Sequence, residues 1–179
     1  MTAEDAAGTR PPIRTQRLEL RPFVPGDADA LARVVSDADA LRFWGAPLQP
    51  DEVRDRIERN RAQFLADGLG RCAIVLLQTD ELVGDAGLTR TDVEGVEEIE
   101  LGWIVAPAHW GRGYASEAGA AWRDHAFGAL GLSRLVSLIR EENAASRRVA
   151  EKLGMRIERT AHWNDAPHLV YVAERRPAT

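Results

Sequence analysis

The chain contains two kinds of hydrophobic pattern, and each predicts a different secondary structure. Apolar and polar residues alternate in "RLELRPF" (17–23), which is typical of a half-buried strand. Apolar residues recur every three or four positions in "YASEAGAAWRDHAFGAL" (114–130), which predicts a helix. In all, these patterns predict strands over 17–23, 71–78, 82–90, 99–106, 132–140, 155–161 and 168–176. They predict helices over 28–35, 50–65, 114–130 and 144–154.

The segments between these elements are short, so the pattern predicts one domain over residues 13–179. Small and polar residues followed by Pro-Pro predict a mobile N-terminal tail over residues 1–12. Two tryptophans are expected in loops: Trp44 in "WGAPLQPDE", and Trp163 in "HWNDAP" between the last two strands. Tryptophan in such a loop either anchors the loop or holds an apolar or cationic ligand.

Composition narrows the class of protein. The chain has 179 residues, 45% of them hydrophobic and 28% charged, which is ordinary for a globular protein. The net charge of −5 argues against nucleic-acid binding and favours cationic partners. The single cysteine, Cys72, allows no intramolecular disulfide. With no predicted signal peptide or membrane span, this favours a cytoplasmic protein that acts away from membranes.

A glycine-rich joint, "HWGRGYASEA" (109–118), connects a predicted strand to a predicted helix. Backbone N–H groups at a helix N-terminus lack partners and attract anions, and glycines let a ligand approach them closely. The joint is therefore either a simple turn or an anion site. Neither a P-loop nor a dinucleotide-binding fingerprint is present in the sequence.

Polar residues before the last helix offer a second candidate site. Asn143 stands at a favourable N-cap position, and Ser146 follows in the first turn of the predicted helix. A capping role alone would explain both residues. The four histidines form no metal-type cluster with one another or with Cys72, so no metal is predicted.

Two blocks in combination resemble the GNAT superfamily of acyl-CoA-dependent N-acyltransferases: "ELGWIVAPAHWGRGYASEA" and "ENAASRRVAEKLGM". With "RTQRLELRPF" near the start, the chain resembles the RimJ/RimL-like branch over residues 14–175. The resemblance implies an α/β (α+β) fold. This fold is a three-layer sandwich with a mixed, mostly antiparallel sheet of about 6–7 strands and helices on both faces.

The resemblance also implies acetyl-CoA as co-substrate. The family's pyrophosphate loop reads Gln/Arg-x-x-Gly-x-Gly/Ala, and here Trp110, Gly113 and Ala115 take its defined places. Trp110 departs from the pattern but leaves the backbone cradle intact. The preceding strand would pair with the pantetheine arm. The implied acetyl-CoA-binding residues are Trp103, Ile104, Val105, Trp110, Gly111, Arg112, Gly113, Tyr114, Ala115, Ser116, Asn143 and Ser146.

The implied reaction is direct attack of a primary amine on the thioester. By resemblance, Ser146 lies near the sulfur and would protonate the departing thiolate. Two carboxylates are candidates on the amine side: Glu100 as a water-mediated base, and Asp165 as a group that binds the ammonium. Trp44 and Trp163 would wall the acceptor site.

Several alternatives stay open at this stage. The acceptor is a protein N-terminus or a small-molecule amine, and the protein is a monomer or a homodimer. A non-catalytic acyl-CoA-binding sensor or interaction domain is the alternative to an enzyme. Such a domain would keep the loop and Asn143 but would need neither an acid nor a base.

Overall fold

The computed structural model describes residues 12–175, so the predicted tail lies outside the described residues except for Pro12. The strands are β1 Ile13–Arg14, β2 Leu18–Arg21, β3 Gly70–Leu76, β4 Leu82–Val93, β5 Val96–Val105, β6 Arg134–Ile139, β7 Arg156–Trp163 and β8 Ala166–Glu174. The helices are α1 Ala28–Val35, α2 Pro50–Asp67, α3 Tyr114–Gly128 and α4 Ala144–Lys152. Short 3₁₀ helices cover Pro25–Asp27 and Pro107–His109.

All eight strands form one sheet in the order β1-β2-β3-β4-β5-β6-β8-β7. Neighbours are antiparallel except β5 and β6, which are parallel. Helices α3 and α4 pack on one face of the sheet, and α1 and α2 pack on the other. The predicted α/β architecture is confirmed, and the sheet has one strand more than the seven read from the pattern. The added strand is β1, which the two-residue run Ile13–Arg14 was too short to reveal.

Local sequence explains where the elements begin and end. All seven residues of β3 are buried because helices cover both faces of the sheet at this strand. Helix α2 starts at Pro50, where the Glu52 carboxylate accepts a hydrogen bond from the Gln49 N–H at 2.6 Å. It ends at Gly68, whose φ of 81° is favourable for glycine.

The connection between the last two strands differs from the prediction. The segment "HWNDAP" was expected to be a loop, but only Asn164 and Asp165 lie outside β7 and β8. Both residues have positive φ, 45° and 59°, as a two-residue hairpin turn with the twist of its strands requires. Trp163 is consequently the last residue of a strand, and its expected place in a loop was wrong.

A split between β5 and β6 opens the centre of the sheet. Within the described residues the two strands pair at one position, Glu100 with Val136. Just beyond it, the Ser137 hydroxyl donates to the Leu101 carbonyl at 2.6 Å. From there to Val105, β5 keeps only its β4 neighbour, so one backbone edge is open. None of the described helices combines the length and apolar character needed to span a membrane.

Candidate active site

The open edge of β5 presents alternate backbone groups. The Ala106 N–H donates to the Val83 carbonyl at 2.8 Å, so Ala106 directs its backbone towards β4. Because a strand's backbone groups alternate in direction, Ile104 also points to β4, whereas Trp103 and Val105 point into the split. Of the three residues expected to pair with a pantetheine arm, Ile104 therefore offers no backbone group at this edge.

Trp110 joins the glycine-rich loop to the end of β5. Its indole Nε1 donates to the Val105 carbonyl at 2.7 Å, while 54% of the residue stays exposed. The Trp103 N–H and C=O and the Val105 N–H remain on the open edge. Trp110, which departs from the family pattern, therefore holds the loop against β5.

The glycine-rich loop ends in an uncapped helix N-terminus. Gly111 and Gly113 have φ of 75° and 83°, a region that disfavours residues with a Cβ. No side chain caps α3, and its first hydrogen bond runs from the Glu117 N–H to the Gly113 carbonyl at 3.0 Å. Within residues 12–175, the N–H groups of residues 114–116 therefore have no backbone partner. These groups and the helix dipole suit a phosphate.

The guanidinium group of Arg17 contacts this loop and the first turn of α3. Its Nη1 donates to the Arg112 carbonyl at 2.9 Å, and its Nε donates to the Glu117 carboxylate at 2.7 Å. The guanidinium also lies 4.7 Å from the centre of the Tyr114 ring. Arg112 itself is exposed and lies outside the cleft lining. The predicted charge contribution of Arg112 therefore stays a prediction.

A large cleft of about 610 Å³ runs from the loop along β5 to α4. The predicted residues Trp103, Ile104, Val105, Trp110, Gly111, Gly113, Tyr114, Ala115, Ser116, Asn143 and Ser146 all line it. Sequence analysis missed three cationic side chains in its wall, those of Arg42, Arg148 and Lys152. The last two are four residues apart on α4 and share its cleft-lining side with Ala145 and Val149, so helical spacing along that side could have indicated them.

A small cavity of about 20 Å³, which has room for about one water molecule, lies at the split, beside this cleft. Its polar lining includes Glu100, Ser137, Arg140, Asn143, Ser146 and His168. Aromatic rings of Phe43, Trp44, Trp103 and Trp163 complete its wall. The residues shared by the cavity and the cleft are Phe43, Trp44, Trp103, Asn143 and Ser146. Ser146 therefore lies where the two spaces meet.

Asn143 and Ser146 are positioned by the cap of α4. The Asn143 Oδ1 accepts a hydrogen bond from the Ser146 N–H at 3.1 Å, which confirms the predicted cap. The cap leaves the Asn143 amide nitrogen and the Ser146 hydroxyl free for other partners. The cap therefore leaves room for the predicted binding roles of these two residues.

Glu100 is a buried carboxyl group in the wall of the small cavity. Only 5% of the residue is exposed, and the Leu138 backbone N–H lies beside its carboxyl group. Burial raises the pKa of Glu100 above its ordinary value, although the Arg71 guanidinium and the Leu138 N–H oppose this rise. A raised carboxyl pKa is common at catalytic sites.

Arg71 connects this carboxyl group to Trp44. The Arg71 guanidinium lies 5.0 Å from the centre of the Trp44 ring and makes an ion pair with Asp85. A Cβ at Gly102 would collide with Arg71 Nη1, so the missing side chain leaves room for the guanidinium. Sequence analysis missed Arg71 because it lies within a strand that reads as apolar.

The remaining predicted acceptor residues lie in different places. Trp163 lines the small cavity, and its Nε1 donates to the Thr91 hydroxyl at 3.1 Å. Asp165 is exposed at the tip of the β7–β8 hairpin and lines neither cavity. Cys72 is fully buried, and burial raises its thiol pKa, as expected of a core residue. Among residues 12–175, no cluster of three His, Cys, Asp or Glu side chains could hold a metal.

Comparisons with known proteins agree with this geometry. A family model described as an acetyltransferase (GNAT) domain matches residues 17–156. An uncharacterized N-acetyltransferase of Bacillus licheniformis, p20, is 31% identical over 148 residues, which are 82% of this chain and 83% of the relative. The crystal structure of an acetyltransferase from Agrobacterium tumefaciens is 32% identical with a TM-score of 0.81, covering 94% of this chain and 96% of that one.

A more distant structure shares the fold. RimL, named as a ribosomal L7/L12 alpha-N-protein acetyltransferase and solved with coenzyme A, is 20% identical with a TM-score of 0.73. The match covers 91% of this chain and 97% of that one. The family match, the relative and the closer structure all describe acetyltransferases. The chain therefore belongs to the GNAT acetyltransferase family and is an acetyl-CoA-dependent acyltransferase.

Proposed function

We propose that the protein transfers an acetyl group from acetyl-CoA to a primary amine by direct attack in a ternary complex. One observation carries the proposal: Asn143 and Ser146 line both the large cleft and the small cavity. A co-substrate in the cleft and an amine in the cavity would meet beside the Ser146 hydroxyl. Direct transfer needs this meeting and no covalent enzyme intermediate.

The residues of the cleft fit acetyl-CoA, which would supply the activated acetyl thioester. The unpaired N–H groups of residues 114–116 and the positive-φ glycines would hold the pyrophosphate. The open backbone of Trp103 and Val105 would pair with the amides of the pantetheine arm. Asn143 would bind the same arm through its free amide nitrogen.

The wall of the small cavity suits the ammonium group of an amine, whose remainder would lie in the adjoining cleft. Glu100 offers a carboxylate, and the faces of Trp44 and Trp163 suit a cation or an apolar chain. Two acceptor classes remain: a protein N-terminus, the substrate in the name of RimL, and a small-molecule amine. Either class would enter as an ammonium, which the acidic chain favours.

Three residues have proposed roles in the chemistry. Ser146 would donate a hydrogen bond or a proton to the departing thiolate. Glu100 would receive the amine, as its electrostatic partner or as a base acting through water. A role for Asp165 stays a prediction, since an acceptor would have to reach the exposed hairpin tip to contact it.

The first test is calorimetric titration with acetyl-CoA and, in parallel, with desulfo-CoA. We expect one-to-one binding of both, because the proposed contacts to the pyrophosphate and to the pantetheine arm do not involve the sulfur. Acetyl-CoA and a panel of amines then follow in a thiol-release assay: free amino acids, amino-acid amides, spermidine, kanamycin and short peptides. Absence of binding would refute the site. Binding of acetyl-CoA that leads to no thiol release with any of the amines would favour a non-catalytic acyl-CoA-binding domain.

We also propose a cytoplasmic location, where acetyl-CoA is available and a lone thiol stays reduced. Monomer and homodimer both remain compatible with the fold. Sedimentation equilibrium of the purified chain distinguishes the two states.

A further inference from the structure

His168 is a buried titratable group in the wall of the small cavity, and the proposed mechanism leaves it without a task. It lies near the start of β8, and only 4% of the residue is exposed. It shares the cavity wall with Glu100 and Ser146. The neighbouring His162, six residues earlier on β7, is exposed and lies outside this wall.

Two contacts orient the His168 ring. Its Nδ1 lies 3.0 Å from the Ala166 carbonyl oxygen, and the Trp163 ring packs edge-on, with centroids 5.4 Å apart. A carbonyl oxygen can only accept, so Nδ1 must carry the hydrogen. In the neutral ring, Nε2 is then an unprotonated nitrogen with a free lone pair. Between residues 12 and 175, Nε2 has no hydrogen-bond partner, so it is available to a molecule in the cavity.

We propose that Nε2 of His168 accepts the proton that the acceptor ammonium must lose before it can attack. This inference rests on the proposed function, because it assigns a residue to the proton transfer of that reaction. Acetylation of an ammonium by a thioester yields an amide, a thiol and one proton. In the proposed step an N–H bond of the ammonium breaks, its electron pair stays on nitrogen, and an Nε2–H bond forms. The imidazolium later releases this proton to solvent through the cleft.

Burial of His168 favours the neutral form of its ring. Burial lowers the pKa of His168 below its ordinary value of 6.5, and the nearby Arg140 guanidinium lowers it further. The hydrogen bond to Ala166 and the Glu142 carboxylate oppose this shift of the pKa. A neutral imidazole at pH 7 is the form that can accept a proton.

Glu100 and His168 would then divide the work on the amine. The Glu100 carboxylate attracts the ammonium and stabilises the imidazolium that forms in the same cavity. Because His168 takes the proton, Glu100 need not gain or lose a proton during the step. In this scheme Glu100 positions the amine and His168 is the base.

Two substitutions separate the base from the packing of the ring. In His168→Asn the side-chain amide can still donate to the Ala166 carbonyl but has no counterpart of Nε2. His168→Phe keeps a ring against Trp163. The matched control is His162→Asn, which replaces an exposed histidine on the adjacent strand. With acetyl-CoA and the fastest amine of the panel, we expect both His168 variants to lose about 100-fold in kcat at pH 7. Their KM for acetyl-CoA should change less than about twofold.

A purely structural role would not produce the next two results. The deficit of His168→Asn should shrink as pH approaches the amine's pKa, because more amine is then already neutral. Added imidazole should restore part of its rate at pH 7. In long-range ¹H–¹⁵N NMR spectra of the wild-type protein, His168 should be the Nδ1-protonated tautomer at pH 7.

Each contrary result has a distinct meaning. A wild-type enzyme that releases thiol, together with a His168→Asn variant that works equally well, would overturn this inference and leave the proposed function standing. An Nε2-protonated tautomer in the NMR spectra would also overturn it. No thiol release by the wild type with any amine would overturn both.

Discussion

At the residue scale, the clearest feature is that one side chain serves both the local fold and the site. Asn143 caps α4 through its Oδ1 and still contributes to the walls of the cleft and the cavity. The cap also sets the position of Ser146, whose backbone N–H is the cap's donor. The geometry of α4 therefore delivers the Ser146 hydroxyl to the place where the two cavities meet.

Ser146→Ala should lower turnover much more than it weakens binding of acetyl-CoA. The hydroxyl is proposed to assist the departing thiolate, and loss of such assistance costs about 100-fold in rate. Steady-state kinetics and calorimetry measure the two effects separately. Ser133→Ala, at an exposed serine outside both cavities, is the control. An unchanged kcat in Ser146→Ala would remove Ser146 from the mechanism.

Glu100→Gln should raise the KM for the amine about tenfold or more, because the ammonium loses a charged partner. The Kd for acetyl-CoA should stay within about twofold of the wild type, since Glu100 lies outside the cleft. Glu97→Gln removes an exposed carboxylate from the same strand and serves as control. If KM for the amine were equal in both variants, Glu100 would not hold the acceptor.

At the scale of elements, the junction between β5 and α3 forms the proposed phosphate site. Three features cooperate: the indole of Trp110 on the Val105 carbonyl, the left-handed glycines, and Arg17 on the Arg112 carbonyl. The two hydrogen bonds hold the loop against β5 and against Arg17, and the positive φ of the glycines sets the direction of the loop backbone. The N–H groups of the first turn of α3 are therefore oriented before any ligand binds.

Gly113→Val should abolish measurable binding of acetyl-CoA. A β-branched residue is disfavoured at φ 83°, so the loop would rearrange and its N–H groups would no longer converge. Gly128→Ala, at the end of the same helix where a Cβ meets nothing within 4 Å, is the control. Calorimetric titration of both variants with acetyl-CoA measures their affinities. Retained affinity in Gly113→Val would mean that the joint is only a turn.

At the scale of the whole molecule, a buried charge cluster connects three elements beneath the acceptor cavity. Asp85 on β4 is fully buried and pairs with Arg71 on β3 and Arg56 on α2. Its Oδ2 accepts from Arg56 Nη2 at 2.8 Å. Arg71 extends from this cluster to Trp44, so the cluster joins the sheet, α2 and the cavity wall.

Asp85→Asn should destabilise the fold by about 3–5 kcal/mol, because it leaves buried guanidinium charge without its partner. Burial alone would raise the Asp85 pKa, but the two arginines hold it below its ordinary value. A depressed folded pKa contributes stability above the unfolded pKa, and this contribution is lost as pH falls through the folded pKa. The free energy of unfolding of the wild type, measured with urea, should therefore fall as the pH is lowered into the acid range. The free energy of unfolding of Asp85→Asn should depend less on pH.

Asp124→Asn is the control for this cluster, since Asp124 is an exposed carboxylate paired only with its neighbour Arg123 among the described residues. Its unfolding free energy should change by about 0.5 kcal/mol or less. Equal stability of Asp85→Asn and Asp124→Asn would show that the buried cluster does not stabilise the fold.

Sequence alone predicted the elements and the glycine-rich loop. Hydrophobic periodicity is a local property, so it located the four helices and seven of the eight strands. The loop glycines and the Asn143 cap are local as well, and positive φ and the cap geometry agree with their sequence positions. Trp163 was misplaced because the Asn164–Asp165 turn is shorter than the polar segment around it.

Only the tertiary structure decided which residues form the small cavity proposed to receive the amine. Glu100, Ser146 and His168 belong to β5, α4 and β8, and they meet because β5 and β6 separate after their single described pair. Arg71 and His168 lie in strands whose other residues are mostly apolar, so their patterns read as core. Local sequence determines which elements form, but the divergence of two strands depends on packing across the whole sheet. The small cavity lies where these two strands diverge.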